Sequence, residues 1–422
     1  MIFSRFADRA TGGGGIRREA QLFELLRPLD FRLCSSWDAD CLKKRTAGRP
    51  RLLRRLERRF SPERRFWVDA DTWHYVFDLH DVAREWRRRL RRFQRAGVAL
   101  LDDPIYFRPL ARALSRAGIP VVALCQNLES LSRSQLNPAL QLDLLARELA
   151  LLRGCRLVVT ISREEAFLLR NLGIPALYLP YEPIASIRQR LEAVRQRRAG
   201  TRKRGYLALG TAGNKATLEG MKALLSYWKG PDNKLGGDPL WVAGFWTKKY
   251  LSPPGAGIEL LGEIGDASLD DLLASAKALI CYQEFGSGAL TKIREMLLAG
   301  VPVLANAHAA RSYHEYEGKG VFEFSRLEDL ESAAVRASAW QAACQTGAPP
   351  PPPGLAEAER SLLAQLRSIG GADPGGAPPR VSILLPNLNN RPFLDERLRS
   401  IVGQTFADWE LVVVDSYSAD GA

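Results

Sequence analysis

The sequence has few of the features that mark membrane-spanning, secreted or metal-binding proteins. No apolar run reaches the length of about 18 residues that predicts a transmembrane helix. The first residues contain no long apolar region before a cleavage site, so we expect no secretory signal. The six cysteines have no CxxC spacing, which argues against zinc and disulfides and predicts reduced thiols in a cytoplasmic protein. The four histidines have no metal-binding spacing, and there is no acidic metal cluster. With 46% hydrophobic and 25% charged residues over 422 positions, the composition is that of a globular protein of two or three domains.

Positive charge is abundant and concentrated in one segment. The formal net charge is +13, and residues 43–95 contain 18 Lys and Arg against 7 Asp and Glu. Trp67, Trp73 and Trp86 are interspersed, which favours an interface. Three interpretations stay open: a solvated helix face, peripheral contact with an anionic membrane or acceptor, and nucleic-acid binding. Nucleic acid is the least favoured, because the sequence contains no recognised nucleic-acid module.

Short apolar strand candidates alternate with helical patterns in two successive series. The first series starts at Met1 and ends near Leu179, and the second starts at Tyr206 and ends near Phe324. Alternation of this kind predicts parallel sheets covered on both faces by helices, with ligands beyond the carboxyl ends of the strands. We therefore expect an α/β protein with two tandem Rossmann-like doubly wound domains, residues 1–185 and 186–346.

The rest of the chain predicts a spacer and the beginning of a third domain. Residues 347–379 are rich in Pro and Gly around one short helical stretch, which is typical of a semi-rigid linker outside the core. Residues 380–422 contain two apolar strands separated by a helix pattern. About forty residues cannot bury both faces of a parallel sheet, so we expect an incomplete third α/β domain, as in a fragment or truncated product.

The segment from Gly286 to Leu304 is the most informative for function. Gly286, Ser287 and Gly288 predict a glycine-rich loop, and a helix carrying Thr291, Lys292 and Glu295 follows it, before a stop at Gly300 and a buried strand. Glycines and a helix N-terminus let backbone N–H groups approach a phosphate. Lys292 and Glu295 are three residues apart and share one helix face, where they could bind a diphosphate and ribose hydroxyls. The pattern predicts a nucleoside diphosphate site.

These residues resemble the donor-binding motif of GT-B glycosyltransferases of the family-4 type, over about residues 1–340. Gly286, Gly288, Glu295 and the strand Ala299-Gly300-Val301-Pro302-Val303 match the motif in place. Many members carry a second glutamate where this chain has Ser287, and Glu284 lies nearby as a substitute. The resemblance implies a nucleotide-sugar donor in the second domain and an acceptor in the first, with no metal required. It leaves the catalytic group unidentified, with Glu284 and Lys292 as candidates.

The same resemblance extends to other segments. Gly210 and Thr211 match the loop after the first strand of the donor domain, and Lys248 lies where related enzymes place a basic phosphate contact. On the acceptor side, Gly12–Gly15 precede a helix at the place where the family brings backbone toward both substrates, which implicates Gly13, Gly14 and Gly15. Gln126 and Asn127 resemble a His-Asn-Leu-Glu pattern, but glutamine replaces the histidine, so a general base there is not supported. Ser162–Glu165 resembles a family helix start that a capping box also explains.

Residues 380–422 resemble the start of a family-2 (GT-A) glycosyltransferase. Val381–Asn387 and Glu410–Asp415 match its first strands, but Asp415-Ser416-Tyr417 replaces the usual Asp-Asp-Gly. The acidic metal-binding motif of that family would lie beyond residue 422, so a divalent metal is expected only if the remainder of the domain is present.

We therefore expect a glycosyltransferase that moves a sugar from a nucleoside-diphosphate sugar to a glycan or lipid-linked acceptor. The resemblance favours a retaining enzyme of surface polysaccharide synthesis, in the cytoplasm or peripheral to the inner membrane face. Two alternatives stay open: a GT-B-type sugar-nucleotide epimerase, and a non-enzymatic module that binds anions or membranes through its basic segment. The sugar, the base, the acceptor, the stereochemical outcome and the oligomeric state are not determined.

Overall fold

The computed structural model divides into two compact units, Met1–Gly370 and Gly371–Ala422. It describes residues 2–4, 14–29, 33–35, 97–102, 104–105, 108–133, 138–235, 237–251, 255–343, 349–370, 381–387, 396, 398, 400, 401 and 409–415. The basic segment 43–95 and Gly13 lie outside the described residues, so the expectations placed on them stay predictions. Within the described part, no helix is both long and apolar enough to cross a bilayer.

The first sheet has six parallel strands in the order β2-β1-β3-β4-β5-β6. Strands β3, β4 and β5 are buried at every position, because helices cover a parallel sheet on both faces. The elements of this half of the unit are β1 (Ile2–Ser4), α1 (Gly14–Leu26), β2 (Leu33–Ser35), β3 (Ala99–Asp102), α2 (Arg108–Arg116), β4 (Val121–Cys125), α3 (Glu129–Arg133), α4 (Pro138–Leu152), β5 (Leu157–Thr160), α5 (Arg163–Asn171) and β6 (Ala176–Tyr178).

The second sheet also has six parallel strands, in the order β12-β11-β10-β7-β8-β9. Its elements are α6 (Ala185–Gly200), β7 (Tyr206–Leu209), α7 (Lys215–Lys229), β8 (Leu240–Ala243), α8 (Thr247–Tyr250), β9 (Ile258–Gly262), α9 (Asp266–Ser275), β10 (Ala278–Cys281), α10 (Thr291–Ala299), β11 (Val303–Asn306), α11 (Ala307–Ala310), β12 (Val321–Phe324) and α12 (Leu330–Ala343). The predicted fold class, two doubly wound parallel-sheet domains, is confirmed.

Each sheet has a topological switch point at its first strand. In the second sheet the chain proceeds from β7 to β8 and β9 on one side, and then returns to place β10 on the other side of β7. The loops after β7 and β10 therefore diverge and leave a crevice between them, which is where ligands bind in sheets of this kind.

The expected linker is wrong for residues 355–370. These residues form helix α13 (Leu355–Gly370), which belongs to the core of the first sheet. Leu355, Ala358, Leu362 and Leu366 recur at helical spacing and are buried against residues such as Leu22. Pro-rich and Gly-rich sequence flanks this helix on both sides and favours a spacer. The helix itself is amphipathic.

Helix α10, which carries Lys292 and Glu295, ends as the sequence predicts. Gly300 has a φ of 72° and terminates the helix in the left-handed conformation. Two arginines of α6 bind the carbonyl groups at this end: Arg195 Nε donates to Leu298 O at 2.8 Å, and Arg198 Nε donates to Gly300 O at 3.0 Å. The positive charges complement the negative end of the helix and fix its direction.

The second unit contains a parallel strand pair. Strands β13 (Val381–Asn387) and β14 (Trp409–Asp415) pair in register over seven residues, from Val381 opposite Trp409 to Asn387 opposite Asp415. The two strands lie where the sequence predicts them.

Candidate functional site

Lys292 lies in the crevice at the switch point of the second sheet. From the first turn of α10, its Nζ reaches across to the carboxyl end of β7 and donates to Leu209 O at 2.5 Å. A Cβ built on Gly210 would lie only 3.1 Å from Lys292 Nζ, and Gly210 has a φ of 157°. The predicted residues Gly210 and Lys292 are therefore in contact, and a side chain at position 210 would crowd the amine. A small cavity of about 20 Å³ adjoins them, bounded in part by Thr217 and Gln283.

Arg311 binds the backbone of the glycine loop (Gly286, Ser287 and Gly288). Arg311 is 9% exposed, and its guanidinium donates to Gly288 O at 2.8 Å, to Ser287 O at 2.9 Å and to Gln283 Oε1 at 3.2 Å. His308 Nε2 lies 3.1 Å from Gly286 O. Burial lowers the pKa of Arg311, although nearby Glu165 and Glu164 oppose this. Because its acceptors are carbonyl oxygens, Arg311 fixes the loop and keeps a positive charge next to the crevice.

Glu165 of α5 and Leu128, which follows β4, bind the glycine loop as well. Glu165 Oε1 accepts hydrogen bonds from Leu128 N at 2.8 Å and from Gly288 N at 2.9 Å. Ser287 Oγ donates to Leu128 O at 2.9 Å. The Gly288 N–H, one of the loop N–H groups expected to bind a phosphate, thus binds the Glu165 carboxylate of α5 in this structure.

Gln126 and Asn127, the predicted acceptor-side residues, pack directly on Gly288. A Cβ on Gly288 would lie 2.6 Å from Gln126 O and 3.1 Å from Asn127 Cβ, and Gly288 has a φ of 72°. Only glycine satisfies both the close approach and the left-handed conformation without strain. The structure therefore brings predicted donor-side and acceptor-side residues together at one point between the two sheets.

Ser162 and Glu165 form only half of the expected capping box. Ser162 Oγ accepts from Glu165 N at 3.3 Å and so caps helix α5. The Glu165 carboxylate is bound to Leu128 and Gly288 instead, and its Oε2 is buried without a hydrogen-bond partner among the described residues. Burial raises the pKa of Glu165 to about 7, against the two backbone hydrogen bonds, which lower it. A carboxylic acid with one engaged oxygen suits this environment.

Glu295 is buried in a contact between α10, α1 and the connecting segment (Leu179–Pro183) that joins the two sheets. Glu295 is 6% exposed, and its Oε1 accepts from Tyr181 Oη at 2.8 Å and lies 3.3 Å from Arg17 Nη1. Burial raises the pKa of Glu295, while the Arg17 charge lowers it. Although Lys292 and Glu295 are only three residues apart, the first contacts β7 and the second contacts α1 and the connecting segment.

The remaining predicted residues lie around the same edge. A Cβ on Gly14, at the start of α1, would lie 2.6 Å from Thr291 Oγ1, so the first helix closely approaches α10, and Gly15 follows it in α1. Lys248 is exposed on α8 with its Cδ near Gly262, and Thr211 Oγ1 accepts from Gly213 N at 3.2 Å. Glu284 is exposed and accepts from Tyr282 Oη at 2.8 Å.

Several residues of the site were not identified from the sequence. Gln283 follows β10, Asn306 is the last residue of β11, and Arg311 follows α11. Asn306 fixes the segment after β10 by accepting from Gln283 N at 3.0 Å and donating to Gln283 O at 2.7 Å. Polar residues at the carboxyl ends of buried parallel strands are the signal that could have identified Gln283 and Asn306. Within the described ranges, no group of three His, Cys, Asp or Glu side chains is placed to hold a metal ion.

Comparison with known proteins identifies structural relatives only. No family model and no curated protein matches the sequence. HepE from Anabaena, solved in complex with UDP-glucose, is 14% identical, and the match covers 87% of this chain and 98% of that chain with a TM-score of 0.50. Sucrose-phosphate synthase from Thermosynechococcus elongatus is also 14% identical, with coverage of 87% and 95% and a TM-score of 0.50. These similarities show that the chain has the two-domain GT-B fold of these proteins.

Proposed function

We propose that the protein is a glycosyltransferase that uses a nucleoside-diphosphate sugar as donor. The observation that carries the proposal is the position of Lys292, whose amine lies at the switch point between β7 and β10. Arg311 adds a second positive charge behind the glycine loop. Among the described residues these two cations donate to carbonyl oxygens and to no carboxylate, which suits a diphosphate at the edge where a doubly wound sheet binds ligands.

In the proposed reaction, the bond between the anomeric carbon of the sugar and the β-phosphate oxygen breaks. An acceptor hydroxyl forms the new glycosidic bond and gives up its proton, and the nucleoside diphosphate departs with an additional negative charge. Lys292 and the N-terminus of α10 stabilise that charge, and Arg311 strengthens the local positive potential. Glu284 is the second candidate for a catalytic role, and the group that accepts the proton is not assigned.

The proposed donor site consists of the residues around the crevice and the glycine loop. Its members are Gly210, Thr211, Lys248, Glu284, Gly286, Ser287, Gly288, Thr291, Lys292 and Glu295. The acceptor would enter from the first sheet, past Gln126, Asn127 and the segment containing Gly13, Gly14 and Gly15. Contact of Gln126 and Asn127 with Gly288 supports this arrangement, because it places the two sets of residues next to each other.

The wider role that we propose is transfer to a glycan or lipid-linked acceptor in bacterial surface polysaccharide synthesis. It is supported by the resemblance of residues 380–422 to a second glycosyltransferase and by the basic segment 43–95, which could bind an anionic membrane from the cytoplasmic side. We propose a retaining reaction without a metal in the GT-B part. The proposed domains are 1–185 and 186–346, with α13 packed on the first, and a family-2-like start at 380–422.

The experiment is a screen of nucleotide sugars by thermal stabilisation, followed by an assay of nucleotide release and of the sugar product. A stabilising nucleotide sugar is incubated with and without candidate acceptors. The proposal expects a glycan product only when acceptor is present. Conversion of the sugar in the absence of acceptor would identify an epimerase instead.

The matched variants are Lys292→Ala and Lys222→Ala. Lys222 is a lysine of α7 that pairs with Glu219 at 3.1 Å. Lys292→Ala is expected to weaken binding of the nucleotide by about 10-fold to 100-fold, the loss typical of hydrogen bonds to charged groups. Lys222→Ala should leave binding unchanged. Equal affinity in both variants, or salt-sensitive lipid binding that survives Lys292→Ala with no nucleotide binding, would contradict the proposal.

A further inference from the structure

We propose that Trp246, together with Phe245 and Tyr250, forms a stacking platform for the base of the nucleotide. This inference rests on the proposed function, because it specifies which part of the same donor the cluster contacts. The three side chains are 41%, 44% and 40% exposed, although aromatic side chains of this size are mostly buried in folded proteins. We call these three residues the aromatic cluster.

The aromatic cluster lies at the carboxyl end of β8, next to the loop after β7 that borders the crevice. Strand β8 pairs with β7, and Ala212 N in the loop after β7 donates to Phe245 O at 2.9 Å. A Cβ on Gly213 would lie 3.1 Å from the ring of Trp246. The cluster therefore borders the loop Gly210–Asn214, whose first residue contacts Lys292. A ligand with its phosphates at Lys292 would extend toward these rings along one sheet edge.

The geometry of the cluster suits a flat aromatic ring that is joined to an anion. The Phe245 and Trp246 rings are 4.5 Å apart, and Trp246 meets Tyr250 edge-on at 5.8 Å. Lys249 Nζ lies 5.1 Å from the Trp246 ring centroid and 4.8 Å from that of Tyr250. An ammonium group held over two rings adds positive charge to the cluster. Bases stack on such surfaces through their π-faces.

The backbone at Trp246 supports a function over a purely structural role. Trp246 has a φ of 63° and a ψ of 10°, a left-handed conformation that bulky side chains rarely adopt. Strain of this kind is found where the structure holds a side chain in place for a ligand. Here it directs a large ring away from the core at the edge of the sheet, where burial does not compensate for the strain.

The test compares a nucleoside diphosphate with inorganic pyrophosphate, using the full chain and isothermal titration calorimetry. Trp246→Ala is expected to weaken the nucleoside diphosphate by about 10-fold or more, as for loss of one base-stacking contact, and to leave pyrophosphate affinity unchanged. Trp246→Phe should retain most of the affinity. Phe167→Ala, which removes another exposed aromatic ring on α5, is the control and should change neither affinity.

The outcomes separate this inference from the proposed function. If the wild-type protein binds neither ligand, the proposed function fails. If it binds both and Trp246→Ala binds the nucleoside diphosphate as tightly as the wild type, the stacking platform is wrong. A loss seen only with the complete nucleotide sugar would place the rings against the sugar and overturn the inference. So would unchanged nucleotide affinity together with lost sedimentation on phosphatidylglycerol vesicles, which indicates a membrane contact. Should Trp246→Ala fail to fold, Phe245→Ala and Tyr250→Ala, measured together with Trp246→Phe, provide the same comparison.

Discussion

Helix α10 presents two chemically different sides within one turn. On the crevice side, Lys292 and the nearby Arg311 donate to carbonyl oxygens, and their positive charges have no carboxylate in hydrogen-bond contact among the described residues. On the connecting side, Arg294 binds Glu182 through two hydrogen bonds of 2.6 and 3.2 Å, and Glu295 binds Arg17 and Tyr181. The first arrangement leaves positive potential for an anionic ligand, while the second neutralises charge inside the protein.

Lys292 and Glu295 belong to one sequence motif but lie on different sides of α10. The motif predicts that both side chains bind a nucleotide. In the folded chain, Glu295 has a structural task as well, because it ties α10 to α1 and to the connecting segment. Variants on the connecting side should therefore change stability first, and variants on the crevice side should change nucleotide affinity first.

The largest expected effect is the loss of stability in Arg294→Ala. The Arg294 side chain is almost fully buried, and its removal leaves the Glu182 carboxylate buried without its cation. Breaking one partner of such a pair costs about 3–5 kcal/mol, measured as the free energy of unfolding in urea. The double variant E182L/R294M, which replaces both charges by apolar groups, should recover most of that loss. A loss below about 1 kcal/mol in Arg294→Ala would contradict the stabilising role assigned to the connecting side of α10.

Glu295→Ala is expected to have the next largest effect on stability. Tyr181 and Arg17 lose their acceptor, which should lower the free energy of unfolding by about 1–3 kcal/mol. Tyr181→Phe removes only the hydroxyl and should cost about 1 kcal/mol without changing nucleotide affinity. If Glu295 also holds the ribose, as proposed, Glu295→Ala weakens a nucleoside diphosphate but not pyrophosphate. Unchanged stability in Glu295→Ala would show that its contacts on the connecting side are unimportant.

Arg311→Lys tests the crevice side. Lysine keeps the charge but cannot reproduce the planar set of hydrogen bonds to Ser287 and Gly288. We expect a stability loss of about 1–2 kcal/mol and an affinity for nucleoside diphosphates reduced by about 10-fold, because the loop is less firmly positioned. Both Arg311→Lys and a control variant, Arg336→Lys, are titrated with a nucleoside diphosphate by calorimetry. Arg336 forms an exposed ion pair with Glu317. Equal affinities in the two variants would exclude a positioning role for Arg311.

The smallest expected effect at a fixed pH is that of Glu165→Gln at pH 5, and its main consequence is for the pH dependence of stability. The folded-state pKa of Glu165 is about 7 because of burial, above its ordinary value of 4.5, so the folded protein holds this proton more tightly than the unfolded chain. The contribution is present below about pH 4.5 and is lost as the pH rises to 7. Glu165→Gln keeps an oxygen for Leu128 and Gly288, so at pH 5 its stability should be within about 1 kcal/mol of the wild type.

Urea unfolding at several pH values checks this prediction. Between pH 5 and 7.5 the stability of Glu165→Gln should fall less steeply than that of the wild type. Burial also raises the pKa of Glu148 to about 7. Ionisation of Glu148 lowers stability over the same pH range, so the stability of Glu165→Gln should still fall somewhat as the pH rises. Parallel curves for Glu165→Gln and the wild type would indicate that Glu165 ionises normally.

The sequence allowed much of the fold and part of the site to be predicted. The two series of strands and helices could be predicted because they depend on local residue types. Examples are the apolar run of the buried strand β10 and the glycine that ends α10 at Gly300. Gly210 and Lys292 were both assigned to the donor site, Gly210 from the family resemblance, and the structure shows that they lie next to each other. Arg311 and Glu165 were missed as loop contacts because each is distant in sequence from Gly288, with separations of 23 and 123 residues.

By itself, the sequence determined that α10 begins after a glycine loop, carries Lys292 and Glu295, and ends at Gly300, because caps, glycines and helical spacing act over a few residues. Only the tertiary structure decided which of these side chains faces a crevice and which is buried against α1. That choice depends on the packing of one sheet against the other and on the connecting segment, which brings Tyr181 and Glu182 next to α10. It also decided that α13 packs on the first sheet, because burial of its apolar face required a surface formed far away in the chain.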